Sequence, residues 1–121
     1  MLIVDDEPQF RQLVTRVCEQ RGIRVLMAAN GRQAMSVLDD EADIDVIILD
    51  LEMPIMDGRA VCSELRASTR LSAVPVILVS GNPSLEAEAA RLAVTAFLHK
   101  PFHLSDFVHL VETLAEPTRP S

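Results

Sequence analysis

A chain of 121 residues is one domain by length, large enough to bury roughly two-thirds of its unfolded surface without disulfide or metal staples. Its net charge of −7, with 11 Lys and Arg scattered along the chain, excludes a nucleic-acid grip by these residues, because neutralising phosphates takes clustered cations. No charged-then-apolar leader and no apolar run approaching the roughly 18 residues of a membrane helix occurs, which predicts a soluble cytoplasmic protein without a membrane partner.

In chain order, Leu2-Ile3-Val4 reads as a short strand, clipped at its start, that stops at the acidic turn Asp5-Asp6-Glu7-Pro8. Pro8 is placed as at a helix's first turn, where its missing N–H costs nothing. Phe10, Leu13, Val14, Val17 and Cys18 then recur at the spacing of an amphipathic helix, and Gly22 follows as its stop. Val25 to Ala28 reads as a second strand, Asn30-Gly31 as a turn, and Arg32 to Leu38 as a short helix with Ala34, Met35 and Leu38 inward.

The stretch from Ile44 to Pro54 is a run of branched apolar residues that ends on the carboxylate Asp50 and then breaks into a loop. A near-continuous Val/Ile/Leu run reads as a strand buried on both faces, as in a parallel sheet covered by helices. After turn chemistry at Asp57-Gly58, a helix with Val61, Cys62 and Leu65 inward runs to about Arg66. Val76 to Val79 is a second fully apolar strand, ending in the loop Ser80-Gly81-Asn82-Pro83-Ser84, in which Ser84 is placed to cap an Ala-rich helix reaching Leu92. Ala96-Phe97-Leu98 is the last strand and closes at Lys100-Pro101-Phe102. The last helix carries Phe107, Leu110, Val111 and Leu114 on one stripe. Residues 1–115 thus form the domain, and 116–121 have the composition of a C-terminal tail or the start of a linker.

Strand and helix alternate five times, with no repeat. That pattern specifies parallel strands joined by right-handed crossovers, hence an α/β, doubly wound five-stranded sheet with helices on both faces; a closed barrel needs about twice the length. Ligands of open α/β sheets bind outside the carboxyl ends of the strands. Here those ends carry Asp5-Asp6, Asp50, Ser80 and Lys100. Carboxylates gathered that closely repel, so one takes a proton or a cation enters, and hard oxygen donors suit Mg²⁺. Carboxylate, divalent cation, ammonium and hydroxyl are the parts of a phosphoryl-acceptor site. Cys18 and Cys62 match no ligand or redox spacing and read as buried thiols, while His99, His103 and His109 share no ligand face.

The motifs Asp5-Asp6-Glu7-Pro8, Asp50-Leu51-Glu52-Met53-Pro54, Met56-Asp57-Gly58, Ser80-Gly81 and Lys100-Pro101-Phe102, in this order, resemble the CheY-like receiver domain of two-component response regulators. The resemblance runs from Leu2 to about Leu114. It implies the flavodoxin-like strand order 2-1-3-4-5 and a phosphorylation-dependent signalling switch that catalyses only its own phosphorylation and dephosphorylation. By the same resemblance a histidine kinase or phosphotransfer protein phosphorylates Asp50. Asp6, Asp50 and the Glu52 backbone carbonyl hold Mg²⁺ directly, Asp5 holds it through water, and Mn²⁺ substitutes. Lys100 pairs with the phosphoryl group, Ser80 donates its hydroxyl to it, and Phe97 is the aromatic switch residue. The surface of the fourth helix, last strand and fifth helix then meets an output domain, a partner protein or a second copy. Three features depart from the family pattern: Gly81 where Ala is frequent, Ala93-Val94 where Gly-Ala is common, and a slightly short span from Ser80 to Lys100. They leave the register of the fourth helix open.

The competing class is a Mg²⁺-dependent phosphohydrolase with an Asp nucleophile, in which Glu52, two residues beyond Asp50, has the spacing of a general acid. Such enzymes place the nucleophile on the first strand of their motif and need a cap over the substrate, and neither feature is in the sequence. A docking-only pseudo-receiver fits poorly with an intact set of acidic and basic positions, and a helical phosphotransfer module has no buried strands.

Overall fold

The chain was analysed as a computed structural model that describes residues 1–41 and 43–114. Its elements are β1 (Leu2–Val4), α1 (Pro8–Glu19), β2 (Leu26–Ala28), α2 (Gly31–Asp40), β3 (Ile47–Asp50), α3 (Gly58–Ala67), β4 (Val76–Ser80), α4 (Leu85–Leu92), β5 (Ala96–His99) and α5 (Leu104–Leu114). All strand pairs are parallel and the order is β2-β1-β3-β4-β5, as expected.

Successive side chains of a strand point to opposite faces, and the central strands divide accordingly. Leu2, Val4, Ile47, Leu49 and Leu78 pack beneath α2, α3 and α4 with Leu38, Val61, Leu65 and Leu85. Ile3, Ile48, Ile77 and Val79 pack on the other face beneath α1 and α5 with Val14, Cys18, Phe107 and Val111. Burying both faces leaves these strands without polar alternation, which is why they read as continuous apolar runs. Both cysteines are buried, and burial raises both thiol pKa values, that of Cys18 to about 11.

Several local readings need correction. The ladder of the central strand begins only at Ile47; Ile44 and Val46 are buried ahead of it, with the Val46 carbonyl accepting from Leu2 N. Asn30-Gly31 is a helix start and not a free turn, because Asn30 caps α2 by accepting from Gln33 N at 2.9 Å. Asp57 caps α3 in the same way, accepting from Ala60 N at 3.0 Å. Ser84 makes no side-chain cap; Asn82 Oδ1 accepts from Ser84 N at 2.8 Å instead. The register of the fourth helix resolves into the eight residues Leu85–Leu92, closed by Ala93 in the left-handed region at φ 52. Gly22, at φ 80, ends the first crossover as expected. The tail expected over 116–121 lies outside the described residues. Among the described residues no helix is long and apolar enough to cross a membrane.

Candidate functional site

Register decides what meets at the carboxyl edge. Val4 pairs with Leu49, so the next residues, Asp5 and Asp50, leave adjacent strands side by side; Asp50 pairs with Val79 and Ser80 with His99, which brings Ser80 and Lys100 to the same rim. Carboxylate oxygens of Asp5, Asp6 and Asp50 lie within 4.8 Å of one another. Asp5 is 1% exposed and Asp50 7%, whereas Asp6 faces solvent.

The two buried acids are held differently. Asp5 has both oxygens engaged: Oδ1 accepts from Glu7 N at 2.9 Å and Oδ2 from Lys100 Nζ at 2.8 Å. Arg11 Nη1 also donates to the Asp5 backbone carbonyl at 2.6 Å, tying the acidic loop to α1. Among the described residues Asp50 accepts only a long contact, 3.4 Å from Glu52 N. Burial, then the charge of Asp5, push its pKa up to about 7, against the pull of Lys100 and that amide. Burial alone lowers the pKa of Lys100, but its hydrogen bond to Asp5 and the charges of Asp5 and Asp50 outweigh this and raise it. Asp6 makes no side-chain hydrogen bond among the described residues, so its oxygens are free for a cation.

The donor set therefore fits a hard divalent cation: three carboxylates converge, one of them held back from ionising by burial and then by the charge of its neighbour, and Asp6 stands open to solvent. A cation among them would favour ionised Asp50 at neutral pH, the form that can act as a nucleophile.

On the β4 side, Ser80 is 2% exposed. Its Oγ accepts from Asn82 N at 2.9 Å and donates to Glu52 Oε1 at 3.4 Å, while Asn82 Nδ2 donates to Glu52 Oε2 at 2.7 Å. Glu52 thus bridges the loops after β3 and β4 and is engaged away from Asp50. Phe97 is half-buried on the α2–α3–α4 side of β5, its ring edge-on to His99 at 6.0 Å. Gly58 is required by close approach: a Cβ there would lie 2.5 Å from the Asp50 carbonyl oxygen. At Gly81 a Cβ would meet only the Lys100 carbonyl, at an ordinary 3.7 Å.

Sequence reasoning placed Asp5, Asp6, Asp50, Ser80 and Lys100 on one rim, and the structure brings them together there. It missed Glu7 and Phe10 as neighbours of Lys100, Arg11 as a clamp, and Asn82 as the partner of Glu52. Only the Glu7-to-Asp5 turn has a local signal; the other contacts depend on side-chain direction.

Comparisons with known proteins bear on the family and the fold. Residues 1–112 match the family model described as the response regulator receiver domain. Chemotaxis protein CheY1 of Helicobacter pylori is 31% identical over 105 residues, which cover 84% of this chain and 85% of that protein. Response regulator MprA of Mycolicibacterium vanbaalenii is 30% identical across 99% of this chain, yet the chain spans only 52% of MprA, about half its length. The solved structure of response regulator TrrA from Thermotoga maritima, in complex with Mg(2+)-BeF, superposes with a TM-score of 0.82 at 27% identity, covering 93% of this chain and 96% of that one.

Proposed function

The chain belongs to the response regulator receiver domain family, a family of signalling domains, and on that premise we propose that Asp50 is its phosphoacceptor and that phosphorylation switches the surface of α4, β5 and α5. One observation carries the reading: a buried carboxylate at the end of the central strand stands within 4.8 Å of two more, beside a lysine bonded to one of them.

The Asp50 carboxylate attacks the phosphorus of a phosphohistidine carried by a histidine kinase or phosphotransfer protein. The new O–P bond forms as the P–N bond breaks, and the electron pair, with a proton, ends on the departing imidazole. Asp6, Asp50 and the Glu52 carbonyl would hold Mg²⁺, or Mn²⁺ in its place, with Asp5 joined through water; this fits the full occupation of Asp5's oxygens and the freedom of Asp6's. Bound there, the cation supplies a Lewis acid for charge on the phosphoryl oxygens. Lys100 takes up part of that charge from the other side. Ser80 donates its hydroxyl to the phosphoryl once it releases Glu52, because its present bond to that carboxylate is long, at 3.4 Å, and a short charge-assisted bond to a dianion is the stronger one. Loss of the phosphoryl to water restores Asp50.

Movement of Ser80 opens space beside Phe97, whose ring can follow without desolvating a polar group, and the α4–β5–α5 surface then changes toward an output domain, a partner protein or a second copy. A coupling of ~1–3 kcal/mol suffices for such a switch. MprA is a response regulator about twice as long as this chain, which fits a receiver that controls something beyond itself.

Acetyl phosphate should label the chain once per molecule, only with Mg²⁺ or Mn²⁺ present, and Asp50→Asn should abolish the label. Steady turnover of a small phosphate ester at Asp50 would instead make the protein a phosphohydrolase.

A further inference from the structure

The β5–α5 turn and the start of α1 share an aromatic rail that the phosphoacceptor chemistry does not by itself require. Lys100 Nζ lies 4.5 Å from the centroid of the Phe10 ring. Phe10 stands edge-on to Phe102 at 5.9 Å, and Phe102 is stacked on the fully buried Phe107 at 5.7 Å. These rings continue into an apolar groove of about 440 Å³ lined by Phe10, Leu13, Lys100, Pro101, Phe102 and Leu104. The ammonium therefore has two carboxylate partners, Asp5 at 2.8 Å and Glu7 at 3.3 Å, and one aromatic face.

We propose that Phe10 is a positioning residue for Lys100: its ring holds the ammonium at the rim of the acidic site without competing for the N–H donors that Asp5 and Glu7 now accept from. The proposal rests on the reading of Asp50 as phosphoacceptor. Its physical content lies in the difference between the two kinds of partner. A carboxylate that holds Lys100 in the resting state competes with the phosphoryl group for the same N–H donors. A ring attracts the charge through its quadrupole and tolerates sliding, so the ammonium can turn from Asp5 toward a phosphoryl on Asp50 without leaving its support. Glu7 is exposed, and its contact is the longer and the more readily screened. The Phe102–Phe107 stack fixes the ring from behind, so Phe10 meets the cation without reorganising.

The test uses the intact chain with Phe10→Leu, which keeps apolar bulk but removes the ring, and Phe10→Tyr, which restores a ring. Phe10→Leu should slow Mg²⁺-dependent labelling by acetyl phosphate roughly two- to five-fold, in keeping with a partly exposed cation–π contact. Its Mg²⁺ affinity should match the parent's, and Phe10→Tyr should recover the parental rate. Independently of phosphorylation, the ε-methylene protons of Lys100 should show an upfield ring-current shift in the parent and in Phe10→Tyr that Phe10→Leu loses. A Lys100 resonance unmoved by Phe10→Leu, or a Phe10→Tyr variant as slow as Phe10→Leu, overturns the positioning role. A parent labelled equally well with or without Asp50 overturns the phosphoacceptor reading instead, while the ring-current comparison still decides where Lys100 sits.

Discussion

The two flanks of the acidic site are built from different materials. On the β1–β5 flank, Asp5 and Lys100 form a largely buried ion pair, backed by Arg11 on the Asp5 carbonyl and Phe10 beneath the ammonium. On the β3–β4 flank, Ser80, buried at the end of β4, joins Glu52 and Asn82 in a chain of hydrogen bonds that links the loops after β3 and β4. Buried charges are costly to separate, whereas loop hydrogen bonds exchange with water at little net cost. The first flank keeps its charges at the rim, with the ammonium turning on the Phe10 ring, and the second is the one whose loop bonds open when a phosphoryl group arrives.

Breaking the fixed flank should have the largest effect. Lys100→Met leaves Asp5 buried without its cation and should destabilise the fold by about 2–4 kcal/mol in urea titrations at pH 7 without divalent cations. Gly58→Ala tests the floor shared by both flanks. Its Cβ would press on the Asp50 carbonyl at 2.5 Å, so a loss of about 1–3 kcal/mol is expected in the same titration.

Asp50 sets a pH signature between these flanks. Its pKa in the fold, about 7, lies above the ordinary 3.8, so the folded chain binds a proton more tightly than the unfolded one. The stability this contributes is complete below pH 3.8 and is lost as pH rises through 7. Across that window the parent should lose on the order of 4 kcal/mol relative to Asp50→Asn. Parallel stability profiles of the two proteins in EDTA would contradict this.

The mobile flank should give the smallest stability changes and the clearest kinetic ones. Glu52→Gln should cost less than about 1 kcal/mol, because the pairing it weakens is exposed. Gly81→Val has room for its side chain, with the nearest atom to its Cβ at 3.7 Å, and should slow loss of phosphate by crowding the approach of water to Asp50. An unchanged decay rate of the labelled protein would refute that.

The same contrast explains what was legible in the sequence. Strands buried on both faces have no polar alternation, so their carboxyl ends are marked by the first polar residue, and Asp5, Asp50 and Ser80 could be read directly. Lys100 was legible because the last strand stops beside it. The strand order came from resemblance, since parallel connections of helical length do not by themselves choose a neighbour. Phe10 reads as one more apolar position of α1, and only its place beside the β5–α5 turn shows that its ring meets a cation. Ser84 had the residue type of a cap, but its side chain makes no cap bond, and its own N–H is taken by Asn82 Oδ1 in a loop bond that no periodicity records. The start of the central ladder was overestimated because Ile44 and Val46 are buried ahead of β3, Val46 giving only its carbonyl to Leu2 N.

Amide spectra of the Mg²⁺-loaded protein, recorded before and after adding beryllofluoride as a phosphoryl mimic, test the division into a fixed and a mobile flank together with its link to Phe97. Large shifts are expected from Ser80 through α4 and in α5, with small ones over Leu2–Val4 and α1. Phe97→Ala should keep the response at Ser80 and lose it in α4 and α5. Equal responses on both flanks, or a Phe97→Ala variant whose last two helices respond as fully as the parent's, would contradict the account.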